Sequence, residues 1–254
     1  MQKLIEEVQD VRNLIYNMDC VAGAREHIAD NTIDLIICDP PFGIQESTFK
    51  NQYNRDHKNI LSGYEEAPVD YYKFSLEWIS EAKRVMKEDG SLYIISGWSN
   101  LNDILSAIKH LDMKLINHII WKYQFGVNCT KKFISSHYHI LYIGKNKKST
   151  PAFYTNCRFA QEDKTSNGGC ARYADMEDVW IISKEYKRGA IKNCNKLPEA
   201  LIQKIMEYSS KENDLVCDFF LGIFTTATVA KKLNRRCTGF ELNKIAYDYF
   251  MNNK

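Results

Sequence analysis

Three acids in this chain sit where they can do chemistry: one beside two prolines, one ahead of a lone glycine, and one at the end of the strand after that glycine. The first is Asp39, in the stretch ICDPPFGI at residues 37–44. It follows an apolar run, Ile33 to Cys38, interrupted only by Asp34. Pro40 and Pro41 lack the N–H that a strand ladder needs, so a strand must end there. Asp39, the stiffly held carbonyl of Pro40 and the ring of Phe42 therefore emerge at a strand's carboxyl end. In open α/β sheets that edge binds ligands. A carboxylate and a carbonyl there can accept the N–H protons of an amine whose lone pair is delocalised into an aromatic ring. Localising that lone pair makes the nitrogen a better nucleophile, and Phe42 offers a face on which the ring can stack. Taken singly, Asp39 reads as a turn or cap residue and Phe42 as core; the combination carries the functional reading.

The second and third acids lie in LVCDFFLGIFTTATVAKKLNRRCTGFELN, residues 215–243. This stretch reads as strand, tight loop, helix, strand. Gly222 sits in the loop, and Thr225 and Thr226 open the helix, whose free N–H groups favour an anionic ligand group. Glu241 follows Asp218 by 23 residues and ends the next strand. An acid so placed can hold ribose hydroxyls. The glycine-rich dinucleotide fingerprint is absent, so an adenosine cofactor without a pyrophosphate fits better than a nicotinamide.

Together these stretches resemble the S-adenosylmethionine-dependent amino DNA methyltransferases, in the beta-type group whose catalytic motif precedes the cofactor motif. Asp39-Pro40-Pro41-Phe42 is similar to the family's catalytic motif, and Asp218-Phe219-Phe220-Leu221-Gly222 to its cofactor loop. Lys196-Leu197-Pro198 resembles the segment before that loop, and YNMDC (16–20) the strand end that touches the cofactor's adenine. The resemblance runs nearly end to end. It implies S-adenosyl-L-methionine as cofactor, held by Asp19, Cys20, Asp39, Lys196, Asp218, Phe220, Gly222, Thr225, Thr226, Glu241 and Asn243, with no metal. It implies catalysis by Asp39, Pro40, Pro41 and Phe42 on a base flipped out of duplex DNA. Asp rather than Ser at the first motif position implies N6 of adenine as the target; N4 of cytosine is the alternative. Phe224 stands where the family usually has a second glycine. A side chain there is expected to crowd the cofactor's methionine arm, which gives a catalytically silent DNA-binding subunit as the other alternative. The resemblance further points to a bacterial or phage modification enzyme, with a homodimer and a cognate restriction endonuclease as conceivable partners.

The elements that must position these residues alternate between strand and helix. Strand-like runs cover 13–19, 33–39, 91–96, 115–123, 137–144, 214–220 and 235–242. Helical runs cover 69–90, ending on Gly90, and then 100–111, 197–210, 225–234 and 243–252. The expectation is a Rossmann-like α/β methyltransferase sheet, mostly parallel, with the cofactor-loop unit C-terminal. The two successive strands of 115–144 predict an antiparallel hairpin at one edge. The chain of 254 residues suits a single domain, with 146–190, where the pattern breaks down, as a target-recognition insert.

Charge is unevenly distributed. The net charge is +2, yet residues 109–148 hold eight lysines against the single acid Asp112, interleaved with six aromatics. That mixture fits a polyanion-facing surface. Lys122, Lys131, Lys132, Lys145, Lys147 and Lys148, with Arg158 and Arg172 in the insert, are the expected DNA contacts. Trp98 and Trp121 are expected to pack rather than touch bases, and His137 and His139 are given no catalytic role. The eight cysteines form no CxxC pair, and Cys157 and Cys170 with His137 and His139 lack metal-ligand spacing. Reduced thiols, no signal peptide and no apolar run of membrane length predict a cytoplasmic protein with no membrane partner.

Overall fold

The computed structural model describes residues 14–42, 67–124, 130–185 and 196–252. Cys129 and Cys194, residues 125–129 of the hairpin and residues 186–190 of the insert lie outside them. In chain order the elements are β1 (Ile15–Tyr16), α1 (Cys20–His27), β2 (Ile33–Cys38), α2 (Tyr71–Val85), β3 (Met86–Ser96), α3 (Leu101–His110), β4 (Lys114–Lys122) and β5 (His137–Gly144). Then follow α4 (Ala171–Asp175), β6 (Val179–Ile181), α5 (Glu199–Ser209), β7 (Leu215–Asp218), α6 (Thr225–Lys232), β8 (Arg236–Phe240) and α7 (Lys244–Asn252).

One sheet of eight strands runs in the order β1-β8-β7-β2-β3-β5-β4-β6. Every neighbouring pair is parallel except the two that involve β5. Two buried clusters cover its faces. Ile36, Cys38, Leu92 and Ile94 pack towards α1, α2 and α3, with Trp78 at the centre. Leu35, Ile37, Tyr93 and Ile95 face the other way, towards α5 and α6. Strands buried on both faces need near-continuous apolar runs, as IDLIIC has. Its one acid is accommodated at the strand's start, where Asp34 accepts from Lys87 Nζ at 2.5 Å and from the Leu215 N–H at 2.9 Å.

The α/β sheet with its hairpin agrees with the sequence reading; four details differ. Helix α2 stops at Val85 instead of Gly90, because Met86 already pairs with Ile33. Gly90 is therefore no helix cap. A Cβ there would lie 2.7 Å from Met86 Cγ and 3.1 Å from the Ile33 and Asp34 carbonyls, so the position demands glycine for close approach. Helix α1 has no counterpart among the expected elements. Its eight residues include a glycine and carry a weak apolar stripe, and Gly23 lets it seat against Phe240. The hairpin is not the sheet's edge. The insert contributes β6, which adds parallel to β4 through Ile120↔Val179 and Lys122↔Ile181.

Candidate active site

The sheet register brings the two motifs together. β2 lies between β3 and β7, and Leu35 and Ile36 of β2 pair with Val216 and Cys217 of β7. Asp39 and Asp218 therefore leave neighbouring strands at the same edge, and the Asp218 carboxylate raises the cost of ionising Asp39. Asp39 titrates near pH 8, pushed up by burial first and by Asp218 second, with Lys184 pulling the other way. Its Oδ1 is buried and has no hydrogen-bond partner among the described residues. A buried acceptor without a donor is costly unless a ligand supplies one.

The chain around Asp39 is tied down from two helices. The Tyr71 hydroxyl at the start of α2 donates to the Pro41 carbonyl at 2.9 Å, and Asn100, just before α3, donates its side-chain N–H to the Phe42 carbonyl. The Phe42 ring lies 5.6 Å from that of Tyr138 on β5. Tyr138 in turn meets Tyr123 at 5.2 Å and Trp121 at 5.5 Å. Lys184, beyond β6, places its ammonium 4.5 Å from the Tyr123 ring centroid and 5.0 Å from that of Tyr138. The result is a cluster of aromatic rings beside an acid with an open acceptor. Tyr71, Asn100, Tyr123, Tyr138 and Lys184 were not singled out from sequence as site residues. The aromatic alternation on the hairpin strands was the visible signal for the two tyrosines; for the other three there was none.

On the cofactor side, Asp218 Oδ1 accepts from the Phe220 N–H at 2.9 Å, and Oδ2 from the Thr226 hydroxyl at 2.5 Å. The carboxylate thus fastens the loop to the first turn of α6. Burial raises its pKa to about 6 against the pull of these two donors. Gly222 holds φ +55°, a left-handed conformation that glycine adopts freely. Its N–H donates to Glu241 Oε2 at 2.6 Å, and the Asn243 N–H donates to Oε1 at 2.7 Å. Burial lifts Glu241 to about 7. Thr225 is buried in the first turn of α6, and Phe220 packs edge-on to Trp78 at 5.3 Å.

Other residues expected at the cofactor have roles within the fold. The Asp19 carboxylate caps α1, accepting from the Val21 and Ala22 N–H groups at 3.0 and 2.9 Å. Cys20 is buried in that helix's first turn, and burial drives its thiol far above the usual range. Lys196 stands 3.5 Å from Glu199. Phe224 does not crowd the loop: its ring is fully buried and stacks on Phe250 of α7 at 3.8 Å.

The basic residues divide between the two edges of the sheet. Lys122 ends β4 at the motif edge, and Lys131 and Lys132 are exposed on the connection from β4 to β5 at that same edge. Lys145, Lys147 and Lys148 follow β5, whose antiparallel course carries them to the opposite edge, past the pairing of Gly144 with Ser91 and towards the start of β3 at Met86. Lys145 is also buried; it donates to the Met86 carbonyl at 2.6 Å and to Asn31. These three, expected as DNA contacts, lie at the edge opposite the motif, because the strand reverses between them and the motif. Arg158 is likewise held within the protein, by Asp175 at 2.9 Å and Glu207 at 2.5 Å. Arg172 donates to Asn156 at 2.5 Å. Trp121 packs as expected, 1% exposed, with its indole N–H on the Ile182 carbonyl at 2.8 Å. Trp98 does not; it is 76% exposed.

The arrangement can hold a cationic adenosine-type ligand. Three carboxylates, Asp39, Asp218 and Glu241, are desolvated close enough for Asp218 to raise both of the others. A positive charge entering among them relieves that repulsion, and the unpartnered Asp39 oxygen awaits a donor. Among the described residues, no group of three or more His, Cys, Asp or Glu is able to hold a metal, and no helix is long and apolar enough to cross a membrane.

Comparison with known proteins agrees with this geometry. A family model described as DNA methylase matches residues 33–252. The chain is 30% identical over 255 residues to the type II methyltransferase M.HinfI of Haemophilus influenzae, covering 93% of this chain and 66% of that one. It is 29% identical to the type II methyltransferase M2.DpnII of Streptococcus pneumoniae, covering 84% of this chain and 79% of that one. In fold it is similar to the M1.HpyAVI–SAM complex, with a TM-score of 0.63 at 18% identity over 94% of this chain and 98% of that one. It is also similar to the PvuII cytosine-N4-specific DNA methyltransferase, with a TM-score of 0.69 at 16% identity over 94% and 86%. The chain spans just under two thirds of the length of M.HinfI.

Proposed function

The chain belongs to the DNA methylase family, and on that footing we propose that it moves a methyl group from S-adenosyl-L-methionine to the N6 amino group of an adenine flipped out of duplex DNA at a specific site. The observation that carries this reading is Asp39: a buried carboxylate with one oxygen unpartnered, beside Phe42 and Tyr138, one strand from the cofactor loop. When bound, S-adenosyl-L-methionine supplies an electrophilic methyl on a sulfonium. The residues that would hold it are Asp218, Gly222, Thr225, Thr226 and Glu241, with the Phe220 ring, Lys196 and Asn243 around them.

The chain's own contribution is position and charge. Phe42 and Tyr138 form the walls against which the flipped base stacks. Asp39 and the Pro40 carbonyl accept the two amine protons, which localises the nitrogen lone pair towards the methyl. Pro41 and Phe42 are held by Tyr71 and Asn100, so the acceptors are in place before the base arrives. The proton lost from nitrogen passes to the Asp39 carboxylate or to solvent. An Asp at this motif position supports adenine over cytosine. Lys122, Lys131 and Lys132 meet the duplex at the motif edge, and the insert 146–190, within which β6 extends the sheet, reads the sequence.

The test is product identity. The protein is incubated with unmodified bacterial DNA and S-adenosyl-L-methionine, and the DNA is digested to nucleosides for mass spectrometry. N6-methyladenine is the expected product, and Asp39→Ala is expected to bind the cofactor and lose at least about a hundredfold in turnover. N4-methylcytosine would overturn the target; full activity in Asp39→Ala would overturn the mechanism.

A further inference from the structure

Trp98 is the largest apolar side chain left in water at the motif edge, and its placement is not that of a stray surface residue. It leaves β3 in the connection to α3, two residues after Ser96. Cys38 pairs with Ile94, so β2 and β3 run out at the same edge of the sheet, the one leading to Phe42 and the other to Trp98. Asn100, two residues on, closes this by donating to the Phe42 carbonyl. On its other side, Ser96 pairs with His139, and the connection carrying exposed Lys131 and Lys132 rises from that same edge. Trp98 thus lies at the edge that carries both the catalytic motif and the exposed cations of the hairpin connection.

We propose that Trp98 enters the base stack at the position the target base vacates, stacking on the neighbouring pairs and so holding the flipped state open. This rests on the function proposed above. Extrusion costs the stacking and pairing of one base, and an aromatic plate left in its place returns part of the stacking. A nearby rigid anchor is what such a wedge requires, and Asn100 supplies it to both the wedge's loop and the catalytic motif. Phe133, 99% exposed on the hairpin connection, is the competing candidate. It lacks any comparable tie to the motif in the contacts the structure describes.

Two duplexes carrying the site mapped from the protein's own products decide the matter. In one the target base is normally paired; in the other it faces an abasic position, so its pairing is already lost. Trp98→Ala is expected to slow methyl transfer on the paired duplex by about tenfold to a hundredfold, and by less than about threefold on the abasic one. Trp98→Phe should recover most of the lost rate, and titration with S-adenosyl-L-methionine should match the wild type for both variants. Equal loss on both duplexes, no loss on either, or the selective loss appearing in Phe133→Ala instead would each overturn the proposal. A wild type that methylates neither duplex overturns the functional reading and the wedge with it.

Discussion

Asp39 combines two properties that oppose one another. Its chemistry needs a carboxylate that accepts N–H protons, while its surroundings favour the neutral acid, raising its pKa to about 8. A group kept near neutrality in this way is poised for proton exchange, and perturbed acids of this kind gather at functional sites. Phe224 is the second residue where local and global demands conflict. It holds φ +65° and ψ +30°, a left-handed conformation that costs a non-glycine residue about 1–2 kcal/mol. Stacking on Phe250 offsets that cost and points the ring into the core. Phe224→Ala should therefore lose about 3–5 kcal/mol of stability, as buried Phe truncations do, measured by denaturant unfolding. Phe224→Gly should be no worse than Phe224→Ala despite its extra chain entropy, since it also removes the backbone strain. Neither should bind S-adenosyl-L-methionine more tightly than the wild type. A tenfold gain with glycine would mean that the ring does crowd the cofactor after all.

At the scale of elements, strand direction decides what a charge can do. The lysines of 109–148 form one run in sequence, but β4 and β5 are antiparallel and carry its two ends to opposite edges of the sheet. Charges on the motif edge should release counterions from a duplex bound there, and those at the opposite edge should not. The double variant Lys131→Ala, Lys132→Ala should lower the slope of log affinity against log salt by about 2. Lys147→Ala with Lys148→Ala should leave that slope unchanged. Equal slopes for the two pairs would contradict the assignment of the DNA face. The same logic applies to the insert. Trp180 is buried against Lys204, whose ammonium sits 4.5 Å over its ring, so β6 is part of the core as well as of the insert. Exchanging the whole insert for a relative's disturbs the sheet; exchanging only what precedes β6 spares it.

For the whole molecule, the three acids at the site set the pH dependence of stability. Asp39, Glu241 and Asp218 titrate near 8, 7 and 6 in the folded protein, above their ordinary values, because all three are desolvated. Each therefore favours the folded state fully below about pH 4, and that contribution is lost as pH rises through the folded values. The cofactor-free protein should lose thermal stability between about pH 5 and pH 8. Asp39→Asn removes the largest of the three shifts, so at pH 8 it should melt at least about 4 °C above the wild type, with the gap narrowing towards pH 5. A gap independent of pH would show that the carboxyl is not desolvated as described. The site is thus held together at some expense in stability by the fold around it, a common condition of active sites.

The sequence by itself determined the family, the α/β class, the two motifs and the order in which they come. Strand ends are written locally: prolines stop β2 after Asp39, a glycine and two threonines turn β7 into α6, and these signals need no partner to be read. It also gave Trp98 and Trp121 alike as packing, which holds for Trp121 and not for Trp98. Only the tertiary structure decided which residues meet. Tyr71 and Asn100 hold the catalytic motif from 30 and 58 residues away along the chain, and Lys184 reaches it from beyond β6. Such contacts depend on the order of strands in the sheet, which no short-range pattern encodes. Helix α1 and strand β6 went unseen for a related reason. Each is short and has little periodicity of its own, and each exists because a neighbour supplies the packing or the hydrogen bonds. The division of the lysines and the exposure of Trp98 follow from the same cause: strand direction and burial belong to the assembled sheet, not to the residues that compose it.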